Sequence, residues 1–134
     1  MRTRWLWIAT AAAVLTALAG AAAAHHSFTA TYFEDRQMEI EGKLLQFMFR
    51  NPHSFVHVEA PDENGTMQRW AVEWGGAGQL SGQGVTNQTL RVGDVVSITG
   101  NPGRDANDHR LRMQYLRRPA DGFEWGRNPG ETFN

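Results

Sequence analysis

Two runs of alternating apolar residues meet at an Asn-Pro pair in the stretch Phe47-Met48-Phe49-Arg50-Asn51-Pro52-His53-Ser54-Phe55-Val56-His57-Val58-Glu59. Proline cannot donate a hydrogen bond to a β-ladder and asparagine suits turns, so Asn51-Pro52 predicts a corner between two strands. A period of two residues on both sides is typical of half-buried strands. The stretch therefore predicts a β-domain whose first and second strands join at this corner, with His53 and His57 beside it.

The run before the corner predicts a long first strand that bends. From Gln37, apolar residues alternate with polar ones as far as Leu44, where the apolar phase moves by one residue to Leu45. Such a slip indicates a β-bulge, which bends a strand and lets it serve two sides of a barrel. Gly42 within the run favours a close approach by a neighbouring backbone.

Further strands are predicted after the corner, at residues 54–60, 68–74, 95–100 and 110–117. Asn64-Gly65 supplies the positive φ of a hairpin between the second and third. In the third strand Trp70 and Trp74 lie on one face with Val72, which we predict to be core. Five glycines between residues 75 and 84 oppose a long helix, although a short one at residues 77–81 fits.

This order of segments predicts an all-β domain. The predicted architecture is a small OB-like Greek-key barrel of five to six strands, with a short helix or glycine-rich connector after the third strand. Another small barrel or a sandwich remains open on strand count alone. The predicted segments are a helical signal peptide at 1–24, an N-terminal arm (extended or a short strand) at 25–36, the barrel at 37–126 and a C-terminal tail at 127–134.

The first residues have the pattern of an export signal. Arg2 and Arg4 precede an apolar run that ends in Ala22-Ala23-Ala24, a cleavage pattern of small residues. A retained anchor is long enough to span a membrane, but half of the residues from Trp5 to Ala24 are alanine, and no basic cluster follows them. We predict cleavage after Ala23 or Ala24, a periplasmic or secreted protein, and no stable membrane anchor.

Composition excludes several classes of protein. The chain has no cysteine, which excludes disulfides and a lipid-modified terminus. Its net charge is −1, and removing Arg2 and Arg4 makes the mature chain more acidic, so nothing electrostatic favours nucleic acid. The expected partner is therefore a periplasmic protein or a small ligand.

Two histidines at the predicted mature terminus suggest a metal site. If His25 is the first residue, its amine and imidazole can chelate one ion, and a second imidazole suits Cu(II). If His26 is third, the amine, two amides and the imidazole form a square-planar site. His53 is the predicted additional ligand, with His57 and His109 as alternatives. An alternative is that His25 and His26 are only polar residues of the cleavage region. In the same way, the role of His53 can be limited to stabilising the turn.

A second candidate site is the face of strands two and three, where OB-like barrels bind ligands. The alternation places four residues there: Phe55, His57, Arg69 and Glu73. No serine lies in a strained Gly-x-Ser-x-Gly setting and no nucleophile–base pair is apparent, so we predict that the protein is not an enzyme.

The chain resembles a family of bacterial exported proteins, catalogued as domain of unknown function six-one-five-two. The resemblance is carried by an ordered set of landmarks: His25-His26-Ser27-Phe28, Gly42, Asn51-Pro52-His53, Trp70 to Gly75, and the Leu-x-x-Gly-Asp-x-Val run from Leu90 to Val96. It implies a small periplasmic β-domain of unassigned activity. This chain departs from the family pattern between residues 75 and 84, where it is rich in glycine and relatives are expected to form a more stable helix.

Two functions follow from these observations. The first is a binding or accessory module that binds copper through its mature terminus. The second is a structural or protein-interaction domain without a metal, suggested by the aromatic residues Phe123 and Trp125 near the C-terminus.

Overall fold

The computed structural model describes residues 28–127. Residues 28–31 are helical and belong to a first unit, Met1–Thr31, whereas a second unit, Tyr32–Asn134, holds the β-strands. These strands are β1 (Met38–Met48), β2 (Phe55–Pro61), β3 (Met67–Glu73), β4 (Val95–Pro102), β5 (Arg110–Arg118) and β6 (Phe123–Gly126). A helix of just over one turn (Ala77–Ser81, the connector helix) follows β3, and a 3-10 turn (Ala106–Asp108) precedes β5.

The strands form one sheet in the order β3-β2-β1-β4-β5-β6, and a further pairing of β3 with β5 closes five of them into a barrel. That closing pair is parallel, whereas the other pairs are antiparallel. The strand β1 is shared: residues 38–43 pair with β4 and residues 43–48 pair with β2. The prediction of an OB-like Greek-key barrel is confirmed, with β6 as an added sixth strand.

The predicted bulge in β1 is present, since the register with β2 shifts between Leu44 and Gln46. It coincides with the slip of the apolar phase, so apolar side chains continue to face the core after the bend. Gly42, just before the bulge, faces the partner strand closely. A β-carbon there would fall on the carbonyl oxygen of Glu59, which explains why this position holds glycine.

The core follows the predicted alternation. Trp70 and Trp74 are buried, as predicted, and the ring of Trp74 lies 5.8 Å from that of Phe47. The other buried apolar side chains around them are Ile40, Leu44, Val56, Val58, Ala60, Val72, Leu80, Val85, Leu90, Val96, Ile98, Leu111, Met113 and Leu116.

The Asn-Pro corner rests on the start of the connector helix. The side-chain oxygen of Asn51 accepts a hydrogen bond from the nitrogen of Gly78 at 3.1 Å, and the nitrogen of Ser54 donates to the carbonyl of Gly75 at 3.1 Å. A β-carbon at Gly76 would lie 2.5 Å from the carbonyl oxygen of Pro52. The glycines at the start of this connector therefore allow the corner to approach it.

The Leu-x-x-Gly-Asp-x-Val run forms the turn into β4. Leu90 is buried, and Gly93 has a φ of 94°, a left-handed conformation that suits glycine. The carboxylate of Asp94 accepts from the nitrogen of Arg91 at 3.0 Å and from the guanidinium of Arg118 at 2.7 Å. Each landmark of this run thus has a structural role.

The prediction of an extended arm is wrong for residues 28–31, which are helical. The chain becomes extended only at Tyr32, which forms an isolated bridge with Gly103. Among residues 28–127, no helix is both long and apolar enough to cross a membrane. The predicted signal peptide (1–24) and most of the predicted tail (127–134) lie outside the described residues.

Replacing Gly42 by alanine should lower the free energy of unfolding by about 2 kcal/mol, because the new methyl group displaces the Glu59 carbonyl in a tightly packed strand pair. Gly78→Ala is the matched control. Outside its own helix, its methyl group would come within 4 Å of the Asn51 side-chain oxygen alone among the described atoms, at 3.8 Å, and alanine favours a helix. Urea unfolding of both variants measures the difference, and equal stability of the two would contradict this account.

Candidate functional site

A buried carboxylate marks the end of β3. Glu73 follows the alternation of Arg69 and Ala71 and faces away from the core, yet its side chain is only 11% exposed. A carboxylate removed from water is costly unless other groups pair with it. Glu73 and the side chains that cover it therefore form the candidate site.

Three side chains surround this carboxylate. The Tyr32 hydroxyl donates to Oε2 of Glu73 at 2.6 Å, and Nδ1 of His53 is hydrogen bonded to Oε1. The Arg110 guanidinium lies 4.0 Å from Oε2 and 5.9 Å from the centre of the Tyr32 ring. We call these four residues the Glu73 cluster.

Each member reaches the cluster through a different element of the fold. The parallel pairing of β3 with β5 sets Ala71 opposite Arg110, two residues from Glu73. The Asn-Pro corner positions His53 beside Glu73, and the bridge between Tyr32 and Gly103 positions the phenol of Tyr32 there. The cluster thus depends on barrel closure, on the corner and on the segment before β1.

The environment of Tyr32 keeps its phenol protonated. Burial raises the pKa of this hydroxyl well above its ordinary value, and the hydrogen bond to Glu73 raises it further. The nearby Arg110 opposes this shift without cancelling it. Tyr32 is therefore a permanent donor to Glu73 at physiological pH.

His53 is one of two accessible members of the cluster: its side chain is 37% exposed, and that of Arg110 is 35% exposed. When Nδ1 carries the proton, it donates to Glu73, and Nε2 then keeps its lone pair. A carboxylate that orients an imidazole in this way is the usual arrangement behind a metal-binding histidine. The same arrangement also suits a histidine that accepts a hydrogen bond from a ligand.

The predicted ligand-face residues lie on the side of β2 and β3 opposite the core. Phe55 is half-buried and pairs with Glu73 across the strands, so these two are brought together. The exposed Arg69 donates instead to Gln46 on β1, at 3.2 Å. The four predicted residues thus share a face. Phe55 and Glu73 lie together, whereas Arg69 contacts Gln46.

His57 lies on this face between its register partners Gln46 and Ala71. Its Nδ1 is buried and has no hydrogen-bond partner within the described part of the chain. Burial lowers the pKa of this imidazole, and the charge of Arg69 lowers it further, so the ring is neutral at pH 7.

Of the predicted metal ligands, His25 and His26 lie outside the described residues, and His53 lies in the Glu73 cluster. His109 is elsewhere: its ring meets that of Trp70 edge-on at 5.1 Å, and its Nε2 is 3.9 Å from Asp62. Within residues 28–127, no three side chains of the types His, Cys, Asp and Glu converge as a metal site.

Sequence reasoning missed Tyr32 and Arg110. Tyr32 is 41 residues from Glu73 along the chain, and it falls in a segment without a sustained period. Arg110 was identified only as the first residue of the predicted strand at 110–117. The parallel closure of the barrel is the signal that would place Arg110 beside β3, whereas no local pattern marks Tyr32.

By its fold and its candidate site, the protein is a small OB-like barrel that contains the buried, hydrogen-bonded Glu73 cluster. The family model described as "Family of unknown function (DUF6152)" matches residues 12–112. The chain therefore belongs to this family, and the resemblance seen in its landmarks is confirmed. A search of curated proteins found no match.

Replacing Tyr32 by phenylalanine should lower the free energy of unfolding by about 1–3 kcal/mol at neutral pH, because Glu73 loses a donor while it stays buried. The difference should shrink as the pH rises above 10.0, the ordinary pKa of tyrosine. In the wild type the unfolded chain loses that proton first, so the stability that the phenol supplies falls with rising pH.

Urea unfolding at neutral and alkaline pH checks both statements. Glu73→Ala and the double variant Tyr32→Phe, Glu73→Ala complete a double-mutant cycle. Alanine cannot accept the hydrogen bond of the phenol, so the coupling energy between the two residues should be non-zero. Additive effects of the two substitutions would contradict the hydrogen bond.

Proposed function

We propose that the protein is an exported, non-catalytic accessory module that binds Cu(II) through imidazole ligands. His53 is one ligand, and His25 and His26 of the mature terminus are the others. The observation that supports this function is the His53 imidazole, which is partly exposed and is oriented by the buried carboxylate of Glu73. The periplasmic or secreted location is part of the proposal.

The chemistry of these ligands suits copper. Imidazole and amine nitrogens are preferred by Cu(II), which binds such ligands more tightly than other divalent first-row metals do. Glu73 adds the outer-sphere acceptor that fixes the ring of a ligating histidine. Tyr32 and Arg110 hold that carboxylate in turn, so the orientation of His53 does not depend on a flexible side chain.

The hydroxyls of Ser54 and Ser97 are held in hydrogen bonds within the fold. The Ser54 hydroxyl exchanges hydrogen bonds with the Arg50 backbone at 3.2 Å, and the Ser97 hydroxyl donates to Glu39. Neither hydroxyl contacts an imidazole in the hydrogen bonds described for residues 28–127, so these two serines give no specific support to a catalytic role.

The alternative, an interaction domain with no metal, was suggested by Phe123 and Trp125. Both are half-buried and pack against the core, and the ring of Trp125 lies 5.0 Å from that of Trp74. Trp125 also donates to Gln83 at 2.9 Å. These contacts stabilise the barrel and do not favour a partner surface, so we keep the metal proposal alone.

Cu(II) titration of the exported protein tests this function, after mass spectrometry has established its first residue. We expect His53→Ala to weaken Cu(II) binding by at least about ten-fold, and His25→Ala, His26→Ala to abolish it. His109→Asn is the matched control, because it removes a histidine outside the cluster and asparagine tolerates the φ of 44° at this position. Unchanged affinity in the double variant would overturn the proposal.

Glu73→Gln separates orientation from ligation. The amide still accepts a hydrogen bond but carries no charge, so we expect Cu(II) affinity to fall by about 10-fold to 100-fold. The electron paramagnetic resonance spectrum of the bound Cu(II) should also change. If this variant keeps the wild-type spectrum and the wild-type affinity, Glu73 has no role in Cu(II) binding. The histidine variants then decide separately whether the imidazoles are ligands.

A further inference from the structure

The β2–β3 hairpin carries an Asn-Gly pair at its tip. Asn64 and Gly65 are both exposed, and Gly65 has a φ of 80°. Apart from residues 64–66 themselves, no described atom lies within 4 Å of the position that a β-carbon of Gly65 would take. The peptide nitrogen after Asn64 is therefore not shielded by a side chain.

The other asparagines that are followed by a residue in the printed sequence have different successors. Asn51, Asn101 and Asn128 precede proline, whose nitrogen carries no proton to lose. Asn87 precedes glutamine and Asn107 precedes aspartate, so a side chain crowds the next nitrogen. Asn64 alone precedes glycine.

We propose that Asn64 is a site of spontaneous deamidation. The nitrogen of Gly65 loses its proton to water or hydroxide and attacks Cγ of Asn64. A carbon–nitrogen bond forms as the bond from Cγ to Nδ2 breaks, and the leaving nitrogen takes a proton and departs as ammonia. Water then opens the resulting succinimide at either carbonyl, which gives aspartate or isoaspartate. The net change is one water consumed and one ammonia released, without oxidation or reduction.

The hairpin controls how readily this reaction occurs. The nitrogen of Gly65 donates to the carbonyl of Asp62 at 2.9 Å, which holds the attacking atom in a hydrogen bond. Oδ1 of Asp62 accepts from the nitrogens of Asn64 and Thr66, each at 2.9 Å. The loop must open locally before Gly65 can attack, so the rate of deamidation reports how often it opens.

The product changes the contacts of this loop. A new carboxylate appears beside Asp62 and Glu63, and like charges at this spacing repel one another. Isoaspartate also adds a backbone atom between the nitrogens of residues 64 and 65, which alters the hydrogen bonds to Asp62. Because Oδ2 of Asp62 also lies 3.9 Å from Nε2 of His109, the change reaches the turn before β5.

Peptide mapping by mass spectrometry tests the proposal, using the mature protein kept in mildly alkaline buffer at physiological temperature. The peptide that contains Asn64 should gain one dalton and separate into aspartate and isoaspartate forms, while the peptide with Asn107 should not change over the same interval. Asn64→Gln should remove the signal. Retention of the Asn64 amide, or conversion of Asn107 at the same rate, would overturn the proposal.

Asp62→Ala tests the control by the hairpin. This variant loses the two hydrogen bonds to Oδ1, so the folded protein should deamidate at Asn64 faster by about ten-fold. Circular dichroism verifies that the variant is folded, and a urea-unfolded sample of each protein gives the unrestrained rate. Equal rates in folded wild type and folded Asp62→Ala would refute the dependence on loop opening.

Discussion

The parallel pairing of β3 with β5 is the constraint on which the rest of this molecule depends. It involves only Ala71, Val72 and Glu73 on one strand and residues 110–112 on the other, yet it turns an open sheet into a barrel. Closure removes an exposed strand edge and encloses the side chains around Val72 and Leu111. It also sets the end of β3 beside the start of β5, and so Glu73 comes near Arg110.

Around that closure, polar groups are held in a chain of mutual contacts. Glu73 is removed from water, and its oxygens contact a phenol, an imidazole and a guanidinium that come from distant parts of the sequence. Buried polar clusters of this kind cost free energy when a member is missing and rigidify the fold when complete. The ring of His53 is therefore held in place by Glu73 and is partly exposed. A preorganised ligand needs both properties.

The strands could be predicted from the sequence because their periodicity is local. The phase slip at Leu44 predicted the bulge, and the Asn51-Pro52 pair predicted the corner, since proline and β-bulges leave direct marks on a pattern. The helical residues 28–31 were missed because they lie in a segment with no sustained period. The Glu73 cluster could be found only in part: His53 stood out by its motif, whereas Tyr32 and Arg110 join it through pairings between segments distant along the chain.

The glycines of the connector were interpreted from sequence as a weakness in a helix, but Gly76 has another consequence. Any larger residue there would push against the carbonyl of Pro52, and the corner would have to move. His53 follows Pro52 directly, so that movement would draw the imidazole away from Glu73. The absence of a side chain at residue 76 thus sets the position of a side chain at residue 53. We expect these two positions to be mutually dependent, so that a bulky residue at 76 requires a shorter or differently shaped corner.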